Sequence, residues 1–153
     1  MYVDRDKALK LELPPLTLQV ERGRLLLFAK AIGETNPIYI DLGAARNAGH
    51  PDLPAPPTFL GNAIELDIPA PLTWLTSVGV DITSTLHGEQ SFIYRSMVHA
   101  GDNLVLRRSI ADVYTKKKGA LEFIVKKTAV VRADELVAEA FCSIAVLHPE
   151  VSA

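Results

Sequence analysis

The chain has 153 residues, 48% of them apolar, which is enough for one sizeable core and suits a single domain spanning 1–153. A net charge of -2 gives no field that would gather nucleic acid or an anionic membrane surface, and no apolar run approaches the roughly 20 residues needed to cross a bilayer. One cysteine rules out an internal disulfide, and the histidines at 50, 87, 99 and 148 lack the close spacing of zinc ligands, so neither a metal nor another cofactor is expected.

The charged N-terminus, Met1-Tyr2-Val3-Asp4-Arg5-Asp6-Lys7, is not followed by an apolar signal region, and a cytoplasmic location is expected. Between Glu21 and Gly33 the residues Leu25, Phe28, Ala29 and Ile32 recur at i, i+3, i+4 and i+7, one stripe of an amphipathic helix that Gly33 can stop. Asn36-Pro37 then forces extended or turning backbone. Asp41 can cap a short second helix through about Asn47, ended by Gly49. Four prolines between Pro51 and Pro57 exclude regular structure there, yet Pro57 suits the first turn of a buried helix through Phe59, Leu60, Ala63, Ile64 and Leu66.

Beyond Pro69 and Pro71 the period changes from helical to alternating. Ser91 to Val98, Leu104 to Val113, Leu121 to Val131 and Leu136 to Leu147 read as strands, separated by turns at 100–103, 117–119 and 133–134, and together as an antiparallel meander. Leu121, Phe123, Val125, Ala129 and Val131 share one face of their strand, which predicts a covered side for the helix near Phe59 to occupy. Cys142 falls in an alternating apolar run and reads as a small core residue. The basic residues Lys116 to Lys118, Lys126-Lys127 and Arg107-Arg108 read as a solvated turn and exposed strand positions, with coenzyme A phosphates or an acidic carrier protein as the functional alternative for the lysines. A long antiparallel sheet wrapped around one apolar helix is the hot-dog architecture, of the α+β class.

Three strings extend this reading. Phe28 to Tyr39, containing Gly33-Glu34-Thr35-Asn36-Pro37-Ile38-Tyr39, resembles the MaoC-like dehydratases, whose pattern there is Gly-Asp, any residue, Asn-Pro, an aliphatic and His. Ala55-Pro56-Pro57-Thr58-Phe59 and Leu86-His87-Gly88-Glu89-Gln90 resemble the N-terminal, dehydratase-like (FAS1-like) branch of that family, where Tyr commonly replaces the His. The resemblance implies reversible hydration of a 2-enoyl thioester on coenzyme A or acyl carrier protein, in a pocket between paired hot dogs. It maps the family's acid-base pair onto Glu34 and Tyr39, with Asn36 assisting, and suggests Pro57, Thr58, Phe59, His87 and Gly88 as substrate contacts.

The chemistry of those positions leaves three readings open. A phenol with a reference pKa of about 10 is a poor base at neutral pH, and Glu34 is one methylene longer than the family's Asp. One reading is a homodimeric hydratase using Glu34, Asn36 and Tyr39. A second is a non-catalytic acyl-binding subunit that forms a heterodimer with a catalytic hot-dog chain. A third is a hot-dog thioesterase using a carboxylate such as Glu65 or Asp67.

Overall fold

The computed structural model describes residues 3–61, 68–116 and 121–147. In chain order these hold α1 (Arg5–Leu9), β1 (Leu16–Gln19), α2 (Arg22–Ala31), α3 (Leu42–Asn47), α4 (Thr73–Ser77), β2 (Thr85–Tyr94), β3 (Asn103–Lys116), β4 (Leu121–Arg132) and β5 (Glu135–Leu147), with 3-10 turns at Pro37–Tyr39 and Ile82–Ser84. No helix among the described residues is long and apolar enough to cross a membrane.

Both predicted N-terminal helices form where their punctuation places them. In α2, Leu25 and Ala29 are buried, and the helix ends as Gly33 turns left-handed at φ 70° so that its N–H reaches the Lys30 carbonyl and that of Glu34 reaches Ala29. Ile32, expected in the buried stripe, is instead 48% exposed, because it is the residue at which the helix unwinds and the stripe leaves the core. In α3 the Asp41 carboxylate accepts from the Ala44 N–H at 2.6 Å, and Gly49 stops the helix at φ 91°. Neither α1 nor β1 was apparent in the sequence: five and four residues are too short to show a period.

The sheet is antiparallel, in the order β1-β3-β4-β5-β2. The β3-β4-β5 meander matches the prediction, but β2 does not. It starts at Thr85 rather than Ser91, ends at Tyr94, and lies against β5 instead of β3. The turn at 100–103 therefore does not join neighbouring strands. It closes onto the end of β1, with Gly101 N–H donating to the Val20 carbonyl and Val20 N–H to the Asp102 carbonyl, both at 2.8 Å. Chain order cannot reveal such a crossover, because local turn chemistry is the same either way.

The faces of β4 also depart from expectation. Leu121, Phe123, Val125 and Ala129 are only half-buried, and the buried face carries Glu122, Ile124, Lys126, Thr128 and Val130. Polar groups can occupy an interior when partnered. The Glu122 carboxylate accepts the Val3 N–H at 3.1 Å, and Lys126 lies 5.9 Å from the centre of the Trp74 ring. Lys126 and Arg108, read as exposed, are thus buried, Arg108 donating to the Pro14 carbonyl at 2.9 Å.

Two clusters fill the covered side. One joins Leu25, Phe59, Leu60, Leu104, Leu106 and Val130; the other joins Trp74, Leu75, Ile110, Ile124, Ile144 and Cys142, the last buried as expected. The α+β, hot-dog class read from the sequence is the one observed. Within the expected helix near Phe59, residues 57–60 form a turn, while Ala63, Ile64 and Leu66 lie outside the described residues, as do Glu65, Asp67, His148 and the predicted turn at 117–119.

Candidate functional site

A cleft of about 240 Å³ opens where the turn after α2, the proline-rich loop and the end of β2 meet. Tyr39, Ala55, Pro57 and Leu60 form one wall, and the run from Tyr94 to Val98 forms the other. It is mostly apolar with a few convergent polar groups, the character expected of a small-ligand site, though smaller than the roughly 300 Å³ at which typical ligand pockets begin.

Its walls are tied together by main-chain bonds. The Ala55 N–H donates to the Val98 carbonyl at 2.8 Å and the Ala100 N–H to the Leu53 carbonyl at 2.9 Å, which makes residues 53–55 a short ladder against 98–100. Beneath, Phe59 is 1% exposed and meets Phe28 edge to face at 5.5 Å. A Cβ at Gly61 would meet the Thr58 carbonyl at 3.2 Å, so the close return of the chain here favours glycine. On the facing wall the Tyr94 hydroxyl donates to the Pro57 carbonyl, latching the loop to the strand end. Burial, and secondarily the Tyr39 phenol, push Tyr94 up to about 12, so it stays protonated.

The residues singled out by sequence are brought together only in part. Tyr39 and Pro57 line the cleft, and the Tyr39 hydroxyl has no hydrogen-bond partner among the described residues. Phe59 lies below the cleft in the core and Thr58 is exposed beside it. Glu34 does not line the cleft. Its Oε1 accepts the N–H groups of Thr35 at 2.9 Å and Asn36 at 2.8 Å, folding the carboxylate back over its own loop. Asn36 has a comparable local role, its Oδ1 accepting the Ile38 N–H at 3.2 Å to cap the 3-10 turn that presents Tyr39.

His87 and Gly88 lie in β2 at a bulge, where the His87 ring meets Gln90 at 3.4 Å. His87 lies seven positions before Tyr94, about 23 Å along a strand at about 3.3 Å per residue, so neither His87 nor Gly88 lines the cleft. Sequence reasoning missed Tyr94 itself and the following Arg95-Ser96-Met97 wall. The partner of Tyr94 is 37 residues away in the chain, and nothing local marks such a pairing. Arg95 is engaged outside the cleft, donating to Glu139 at 2.7 Å.

Among the described lining residues the titratable side chains are thus two phenols and a guanidinium, without a carboxylate or an imidazole. Such a surface can hold an apolar chain and donate a hydrogen bond from Tyr39 to a carbonyl oxygen. None of these described side chains deprotonates water readily near neutral pH.

Comparison with known proteins identifies the family and the fold. A family model described as "FAS1-like, dehydratase domain region" matches residues 11–140. A UPF0336 protein of Parafrankia sp. (strain EAN1pec) is 42% identical over 127 residues, 82% of either chain. Two solved structures from Mycobacterium tuberculosis are similar. The HadBC (3R-hydroxyacyl-ACP dehydratase) complex has a TM-score of 0.69 at 28% identity, covering 88% of this chain and 92% of the other. The ChsH1-ChsH2 complex has a TM-score of 0.72 at 26% identity, covering 92% and 90%.

Proposed function

Because the chain belongs to the FAS1-like, MaoC-like hot-dog dehydratases, we propose that it is the acyl-thioester-binding subunit of a heteromeric dehydratase whose reacting carboxylate and imidazole come from a second hot-dog chain. The observation that carries this reading is the fate of Glu34. At the position where the family resemblance would put the acid-base carboxylate, this chain uses it to receive two main-chain N–H groups outside the cleft.

Two further observations support it. Both similar solved structures are complexes of two named components, a dehydratase in the case of HadBC. In addition, β2 pairs only with β5 among the described residues, so its other edge is a row of unpaired main-chain groups, and Tyr94 of the cleft sits at its end. An edge of this kind is a template for a partner strand, and a chain added there would lie beside the cleft. The substrate class this reading implies is a 3-hydroxyacyl or 2-enoyl thioester of coenzyme A or acyl carrier protein, its carbonyl facing Tyr39.

The test is a hydration assay with a short 2-enoyl-CoA, on this chain alone and on its co-purified complex with a hot-dog subunit that has Asp and His in the Gly-acid-x-Asn-Pro motif. The isolated chain is expected to be inactive and the complex active. Glu34→Gln in this chain should change the complex's kcat by no more than about twofold, because an amide oxygen still accepts the two N–H bonds. Turnover by the isolated chain that falls about a hundredfold or more in Glu34→Gln would instead make Glu34 the acid-base group. Hydrolysis of a saturated acyl-CoA would favour the thioesterase reading.

A further inference from the structure

Beside the cleft, outside its lining residues, two imidazoles meet. His50 follows the left-handed Gly49 at the end of α3, and its Nδ1 lies 3.2 Å from Nε2 of His99, with ring centroids 5.3 Å apart. His99 belongs to the strip that builds the cleft, since Pro54 and His99 form an antiparallel bridge and the neighbouring Val98 and Ala55 both line the cavity. The contact therefore fastens the loop after α3 to the 98–100 strip at the place where the two cleft walls join.

A hydrogen bond between two imidazoles needs one nitrogen as donor and the other as acceptor. The pair can hold its bond with no extra proton or with one. With two extra protons both facing nitrogens carry hydrogen and both rings are cationic, so the contact becomes repulsive.

The surroundings relieve that repulsion only in part: Asp102 from the turn before β3 and Asp52 from the loop favour a charged His99, Arg132 from β4 opposes it, and Arg22 from α2 and Arg46 from α3 act on Asp52. Asp52 is held by Arg22 through bonds of 3.0 and 2.6 Å, which lower its carboxyl to about 2. Asp102 accepts from Arg132 at 2.8 Å and from the His99 N–H at 2.9 Å. Both carboxylates are thus already engaged by guanidinium groups, which weakens the support they give to a charged His99.

We infer that the His50–His99 contact is a proton-operated clasp on the cleft, closed while at most one proton is shared between the rings and released when both are charged. Burial, followed by the neighbouring His50, holds His99 below its ordinary pKa. A histidine depressed in the folded state binds fewer protons than in the unfolded chain, so its contribution is complete above about pH 6.5 and declines as pH falls below that value.

The amides of Ala55 and Ala100, whose hydrogen bonds close the ladder, read the clasp directly through hydrogen exchange in the full chain. After correction for intrinsic rates, their protection is expected to fall about tenfold between about pH 7.5 and 5.5, while Val130 in the core of β4 keeps its protection. His50→Gln and, independently, His99→Gln should reduce the fall to less than about twofold, because a neutral amide can donate or accept without charging. Equal losses at Ala55, Ala100 and Val130 would show global acid unfolding and overturn the inference. So would a pH response that survives in both variants, or its absence from the unaltered chain.

Discussion

Replacing Phe59 by alanine is expected to remove about 3–5 kcal/mol of stability, against the 5–15 kcal/mol that holds an ordinary domain together. The ring is 1% exposed, meets Phe28 edge to face at an interplanar angle of 79°, and lies 5.9 Å beneath the Arg24 guanidinium. Alanine loses the transfer energy of the ring and leaves a cavity in the cluster that holds Leu25 and Leu104, side chains fixed by helix and strand that cannot collapse into it. Leu60 is also a wall of the cleft, so the same change should loosen the site. Urea unfolding measures the effect as a lowered midpoint at unchanged slope. A loss under about 1 kcal/mol would mean that the loop after Pro57 is not anchored in the core as described.

The second large effect separates two neighbours on β4. Ile124→Ala should cost the isolated chain about 2–5 kcal/mol, since Ile124 is 0% exposed among Trp74, Ile144 and Val113. Phe123→Ala removes a larger side chain and should nevertheless cost less, about 1–2 kcal/mol. Phe123 is half-buried on the opposite face, where its main support is the Tyr114 ring stacked at 5.1 Å. Thermal or urea unfolding of the two variants gives the order directly. If Phe123→Ala proves the more damaging in the isolated chain, the assignment of the two faces of β4 is reversed.

That pair of residues also shows what the sequence could and could not disclose. Alternation along 121–131 establishes that β4 has two unlike faces. It does not say which one the chain itself covers. The face with Leu121, Phe123 and Val125 is the more apolar, yet the chain turns Glu122, Ile124 and Lys126 inward, because the N-terminal segment and Trp74 supply partners that alternation cannot foresee. Features written over a few residues were legible: the Asp41 cap, the stops at Gly33 and Gly49, and the Asn36 turn. Features that join distant segments were not, among them the seating of β2 against β5 and the Tyr94 bond to Pro57.

The candidate site follows the same division. The motif from Gly33 to Tyr39 carries the family resemblance, and the fold places Tyr39 in the lining of a cleft. The role of Glu34 could not be read from spacing alone, because the same carboxylate that would activate water can equally receive the N–H groups one and two residues ahead of it.

The link between β4 and β5 is the shortest in the sheet, Ala133 and Asp134 both lying in the left-handed region at φ 46° and 67°, the conformation of a type I′ hairpin. Together with the register shift at Val130/Val131 it sets which residue of β5 stands beside each residue of β4, from Arg132 beside Glu135 to Leu121 beside Leu147. One amino acid more or less at this exposed corner would carry Cys142, Ile144 and Val146 out of their cluster with Trp74 and turn the half-buried Phe141 toward it. Insertions and deletions should therefore be tolerated less at this solvent-washed tip than their distance from the interior suggests, since the tip helps set the phase of the longest strand pairing in the sheet.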